Sequence, residues 1–214
     1  MKLYYAPGAC SLAPHIVLNE LGKDYSLEKV DLGTKKTESG SDFSAINGKG
    51  YVPTLEFAKD KVLTEVATIL QYLADSDDGA KLLPKFGSME RYRAMETLNY
   101  VASELHKGIG ILFNKDIPDA GKKIIMDRLA KRLAWLDGEL AKHAYLLGDA
   151  YSVADAYFAP VVGRMRTYAL PMSPAVGEYI ERVWASVGVA DWVKGALDER
   201  EFLDFEEPYR SKRA

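Results

Sequence analysis

Apolar and polar positions follow two rhythms along this chain. Up to about residue 74, short apolar runs alternate with polar positions and are broken by Gly, Pro and Asp; beyond residue 88, apolar positions recur every three to four residues. Lys2-Leu3-Tyr4-Tyr5 predicts a strand, and residues 11–22 predict a helix closed by Gly22. Tyr25, Leu27 and Lys29 set against Ser26, Glu28 and Val30 predict a second strand over 25–30. The opening is therefore a βαβ unit.

Residues 33–50 are polar and glycine-rich, with Lys35, Lys36, Gly40, Gly48 and Gly50, and predict an exposed loop carrying one helical turn near 43–46. Tyr51-Val52-Pro53-Thr54-Leu55-Glu56-Phe57 predicts a strand that begins through proline, and Lys59-Asp60 turns it back into Lys61-Val62-Leu63 as a hairpin. Thr64 and Glu65 open a helix with Val66, Ile69, Leu70 and Leu73 on its apolar side. The order βαβ followed by ββα is that of a thioredoxin-like α/β domain. Residues 75–85, rich in Asp and containing Pro84, predict a linker, which places two domains at 1–80 and 87–203. Helical spacing then recurs over 88–112, 120–143, 153–168, 174–187 and 189–199, as in Leu129, Leu133, Leu136 and Leu140. The second domain is expected to be all-α. Within it, Ser152-Val153-Ala154-Asp155 is a capping box with Asp where Glu is usual, and marks a helix start rather than a reaction.

Composition narrows the function. The 214 residues are 48% hydrophobic and 28% charged with a formal charge of -3, a soluble globular balance with no electrostatic case for nucleic acid. No stretch approaches the roughly 20 apolar residues of a membrane span, and the N-terminus lacks a basic flank followed by a long apolar run. A single cysteine forms no disulfide framework, so the expected setting is the cytoplasm and the expected chemistry is that of small molecules.

Four places carry candidate chemistry. Cys10 follows Pro7-Gly8 where the first strand gives way to a helix, with Ser11 read as the helix cap. It is either a small inert hydrophobe or a thiol drawn toward thiolate by the helix N-terminus. Val52-Pro53 is either an ordinary edge-strand proline or a cis step offering the Val52 backbone to an extended ligand. Glu65 either complements a helix dipole or binds an ammonium, beside the amide of Val66 that suits a carboxylate. Asn99, Ser103, His106 and Lys107 share a helix face by spacing, whether as a solvated surface or as part of a site. His106 and His143 lie far apart in sequence, and no Cys, His and carboxylate spacing predicts a metal.

Taken in order, residues 4–11 (YYAPGACS), 51–55 (YVPTL), 63–65 (LTE), 71–75 (QYLAD), 105–108 (LHKG) and 152–157 (SVADAY) resemble the bacterial beta-class glutathione S-transferases over nearly the whole chain. That resemblance implies a cytosolic homodimer with glutathione as co-substrate and no metal, a detoxifying enzyme that conjugates glutathione to small hydrophobic electrophiles. It implies catalytic roles for Cys10 and His106. Glutathione's cysteinyl unit would lie against the backbone of Val52, before Pro53, its γ-glutamyl end against Glu65 and the Val66 amide, and its glycyl carboxylate against Lys35. Asn99, Ser103, Glu104 and His106, with Lys107, would approach the same glutathione, some from the partner subunit. Other classes of the superfamily use a tyrosine or serine near this cysteine, which makes Tyr5 and Ser11 secondary candidates; Phe113, Met165 and Tyr168 would line the electrophile pocket. Cys10 would either donate to the glutathione sulfur or bond with it in thiol–disulfide exchange. Alternatives within the fold are a glutathione-dependent peroxidase, isomerase or dehalogenase, and a non-catalytic ligand-binding or protein-interaction module. Two departures from the family pattern bear on affinity: Val66 brings no hydroxyl, and Gly48 replaces the proline often found after Asn47.

Overall fold

Leu3 lies at the centre of the sheet, with Leu27 opposite it on one side and Leu55 on the other. It belongs to β1 (Lys2–Tyr5), the middle strand of a five-stranded sheet ordered β3-β2-β1-β4-β5. The others are β2 (Ser26–Asp31), β3 (Lys36–Thr37), β4 (Thr54–Ala58) and β5 (Lys61–Thr64). Only β1 and β2 run parallel, and a parallel pair needs a crossover; α1 (Leu12–Glu20) supplies it. The remaining neighbours are antiparallel. The computed structural model describes residues 1–76, 81–163 and 173–186, without the side chains of 184 and 186.

Helix α1 is shorter than the predicted 11–22. Ser11 does not cap it: the hydroxyl accepts from the Ala6 amide (3.3 Å) and donates to the Ala6 carbonyl (3.2 Å), tying the end of β1 to the start of the helix. The predicted turn at 43–46 is α2 (Phe43–Ile46), capped by Asp42 and anchored by buried Phe43. Strand β3 falls inside what reads as loop, because two residues leave no alternation to detect. Helix α3 (Val66–Ala74) and α1 bury Ile69, Leu70, Leu73, Ile16 and Val17 in one core with Leu3 and Leu55.

Beyond residue 88 the described chain is helical. The predicted rod at 88–112 is α4 (Met89–Tyr100), a six-residue π-helical stretch (Val101–His106) and α5 (Lys107–Leu112). Then follow α6 (Asp119–Leu140), α7 (Val153–Gly163) and α8 (Pro174–Ser186). The rest of the helix expected over 153–168, and that over 189–199, lie outside the described residues. The capping box at the head of α7 is present, with Asp155 accepting from the amide of Ser152 (2.8 Å), the hydroxyls of Ser152 and Tyr179, and the amide of Leu146.

Helix α7 is buried along its whole length and packs against α1, α3 and the π stretch, so it joins the two halves of the molecule. Arg91 adds a polar tie. From α4 it reaches Asp75, at the end of α3, through two bonds of 2.6 and 2.8 Å. Among the described residues no helix is long and apolar enough to cross a membrane.

Candidate active site

Strand β1 ends at Tyr5, and the chain turns through Pro7 and Gly8, the latter at φ +64°, to bring Cys10 to the foot of α1. There the Cys10 Sγ donates to the Val52 carbonyl at 3.7 Å. Val52 is buried, and its peptide bond to Pro53 is cis. Two segments singled out separately in the sequence thus meet. Of the two readings of Cys10, the electrostatics favour the protonated thiol: burial pushes its pKa up to about 12, backbone hydrogen bonding offsets only part of this, and Glu65 adds in the upward direction. Cys10 is a neutral donor. Tyr5 is half-buried against the core, while Ser11 is 1% exposed with its hydroxyl engaged at Ala6.

Glu65 sits between β5 and α3 at φ +72°, a conformation costing a non-glycine residue about 1–3 kcal/mol. The carboxylate so placed accepts from the Lys49 ammonium and the Tyr51 hydroxyl, each at 2.6 Å. Those bonds hold Glu65 below the usual carboxylate range, and the charge of Lys107 adds to them. It is therefore an ionised acceptor on a built platform, more than a complement to the helix dipole. Val66 begins α3, where position leaves its N–H without an intrahelical partner.

Lys49 and Tyr51 were not among the sequence candidates. Their placement comes from Asn47, whose buried side chain donates to the Tyr51 carbonyl and the Thr54 hydroxyl, both at 2.9 Å, and accepts from the Lys49 amide. No periodicity marks such a loop. Lys35, also at positive φ, crosses to the Gly50 carbonyl at 2.8 Å and joins the same loop cluster.

The helical domain contributes through the π stretch. Hydrogen bonds that span five residues shift the π stretch off ordinary α-helical spacing: Asn99, Ser103 and Lys107 are exposed, whereas His106 is half-buried. His106 ends the stretch, half-buried, with Nδ1 2.8 Å from the Tyr157 hydroxyl of α7. Burial, then the charge of Lys107, lower its pKa against the opposing pull of Glu65. Asn99 and Ser103 are exposed, Ser103 donating to the Asn99 carbonyl, and Phe113 is exposed at the end of α5. Glu104 faces α6, accepting from Arg128 and Arg132 at 2.8 Å each. Met165 and Tyr168 lie outside the described residues.

One carboxylate links these groups. The charge of Glu65 is felt at Cys10, His106 and Tyr157, which places the thiol, the acid and the imidazole in electrostatic range of one another where the two domains meet. A neutral S–H donor, a backbone carbonyl, an ionised carboxylate and the ammonium groups of Lys35, Lys49 and Lys107 suit an extended zwitterionic peptide. Among the described residues no group of three or more His, Cys, Asp or Glu side chains could hold a metal ion.

Comparison with known proteins follows the same two-part division. Residues 8–76 match the family model of the glutathione S-transferase N-terminal domain, and residues 88–199 that of its C-terminal domain. Glutathione S-transferase GstA of Escherichia coli O157:H7 is 45% identical over 162 residues, covering 76% of this chain and 81% of its own. A sphingomonad glutathione S-transferase complexed with glutathione superposes with a TM-score of 0.83 at 39% identity, over 92% of this chain and all of that one. The beta-class enzyme of Sphingomonas chungbukensis gives 0.82 at 38% identity, again over 92% and 100%. With both domains matched and this identity sustained along the chain, the protein belongs to the glutathione S-transferase family.

Proposed function

We propose that this protein is a beta-class glutathione transferase that conjugates glutathione to small hydrophobic electrophiles. The observation that carries the reading is the platform at Glu65, ionised by Lys49 and Tyr51 within reach of the Cys10 thiol and its Val52 partner. Glutathione's γ-glutamyl ammonium pairs with Glu65 and its carboxylate meets the Val66 amide. Its cysteinyl backbone lies along Val52, and its glycyl carboxylate meets Lys35. The sulfur then lies beside Cys10 and His106, toward Phe113 and the helical domain.

A free thiol of pKa about 8.5 is mostly protonated at neutral pH, and lowering that pKa by one unit needs about 1.4 kcal/mol of differential stabilisation. When the glutathione cysteinyl amide takes the Val52 carbonyl, the Cys10 S–H is released from it, and neutral donors turned toward the sulfur then supply that stabilisation. The thiolate attacks the electrophilic carbon, a new carbon–sulfur bond forms, and the leaving group departs with its electron pair. The pKa of Cys10 favours donation over exchange, because attack on a disulfide requires the thiolate. Mixed-disulfide formation is the slower side reaction.

The domains divide at 1–80 and 87–203, the protein works in the cytoplasm as a detoxifying homodimer, and exposed Asn99 and Ser103 are offered to the partner's glutathione. Titration with glutathione, conjugation of a model aryl halide and native mass spectrometry test these points together. Binding, turnover and a dimeric mass are expected. Failure to bind glutathione at millimolar concentration would sink the reading.

A further inference from the structure

We propose that Tyr157 is a positioning residue that fixes the tautomer of His106, holding the ring proton on Nε2 where the bound thiol can use it. The inference rests on the transferase reading of the site only for its catalytic consequence. Its structural part stands on the geometry of the two side chains.

Tyr157 lies on α7, 2% exposed, in the helix that packs against both α1 and the π stretch. Its ring meets the imidazole edge to face, with centroids 5.7 Å apart and planes at 84°, and its hydroxyl is 2.8 Å from Nδ1. The contact fixes both the position and the rotation of the His106 ring. Two proton arrangements satisfy that distance. In one, Nδ1–H donates to the phenol oxygen, and the phenol proton then needs an acceptor of its own. Among the described residues the Tyr157 hydroxyl has no hydrogen-bond partner besides His106, so this arrangement buries an unpartnered O–H. In the other, the phenol donates to Nδ1 and no donor is orphaned. A neutral imidazole that accepts at Nδ1 carries its proton at Nε2.

The charges around the pair agree. Burial and the charge of Lys107 lower the pKa of His106 against Glu65, which favours the neutral ring, and burial raises that of the Tyr157 phenol with the charge of Glu65 adding to the effect. The π stretch is what brings His106 to this register, since it is the last residue before α5 resumes. The ring's remaining nitrogen is therefore an N–H donor, the form suited to an anionic sulfur.

Nitrogen-15 NMR of the imidazole rings in the ligand-free protein reads the tautomer directly, and with three histidines in the chain a His106→Asn variant assigns the signal. Wild-type His106 is expected to be protonated at Nε2. Tyr157→Phe keeps the ring contact but removes the donor; it is expected to release the tautomer preference and lower kcat at saturating glutathione about five-fold, with KM for glutathione nearly unchanged. Wild-type protonation at Nδ1 overturns the proposal, and so does a Tyr157→Phe protein whose His106 tautomer and kcat match the wild type. Because the NMR reading is made without glutathione, loss of the transferase reading would show as absent conjugation by the wild type and would leave the tautomer result to decide the role of Tyr157.

Discussion

A desolvated thiol and a solvated one at the same helix N-terminus are different reagents. At Cys10 the desolvation of sulfur outweighs backbone hydrogen bonding, and the residue stays protonated throughout the working pH range of an enzyme. A protonated donor stabilises the anionic form of whatever sulfur it faces, so removing it must raise the pKa of bound glutathione. Cys10→Ala is therefore expected to move the acid limb of the kcat profile for conjugation to higher pH by about one unit, and to lower the rate at neutral pH about ten-fold. The variant also loses any disulfide adduct with glutathione, since no other cysteine remains. Steady-state kinetics across pH with an aryl halide, together with intact mass, provide the check. An unmoved acid limb would remove Cys10 from thiolate stabilisation, and complete loss of turnover would show that His106 and the backbone contribute little.

Helices and strands with a sustained rhythm were legible in the sequence: the βαβ opening, the hairpin through Lys59-Asp60 and the Leu129, Leu133, Leu136, Leu140 seam of α6 all reflect burial of one face. The unread features are those that local rhythm does not encode. Strand β3 exists because Val30 and Asp31 offer a partner to Thr37 and Lys36, the π stretch hides in an apparently regular rod, and Lys49 reaches Glu65 only after Asn47 has folded the loop. Glycines within one short helix show how context decides such matters. A Cβ at Gly108 would stand 2.9 Å from Leu129 Cδ2, in the core between α5 and α6, whereas a Cβ at Gly110 would meet nothing within 4 Å. Gly110→Ala is thus expected to gain about 0.5–1 kcal/mol through helix propensity. Gly108→Ala is expected to lose about 1 kcal/mol, because displacing buried Leu129 outweighs the same propensity gain. Urea unfolding of the two variants measures the difference, and stabilisation by both would refute the close approach at Gly108.

The two halves of the molecule are coupled by α7 and by the pair Arg91–Asp75, whose members stand in unequal surroundings. The Arg91 side chain is 2% exposed and that of Asp75 is 47% exposed. Gln71 and the Pro84 carbonyl give the guanidinium two further acceptors at 3.4 Å, and Phe86 lies against it 5.7 Å from the ring centroid. None of these brings a negative charge. Removing Asp75 leaves a buried cation without its counterion, a defect that costs about 3–5 kcal/mol when the burial is complete. Removing Arg91 leaves a half-exposed carboxylate that water can solvate, so the loss reduces to the charged hydrogen bonds themselves, about 1.5–3 kcal/mol. Asp75→Ala should accordingly destabilise the protein more than Arg91→Leu, although the arginine is the larger and the more buried side chain. Since the pair bridges α3 and α4, the weaker variant is also expected to lose coincidence between unfolding followed at the thioredoxin-like sheet and at the helical domain. Urea titrations followed by tryptophan fluorescence, which reports the second half of the chain because all three tryptophans lie there, and by thiol labelling at Cys10, which reports the other, decide the order. Equal losses in the two variants, or a larger loss for Arg91→Leu, would mean that side-chain packing rather than charge ties the domains together at this point.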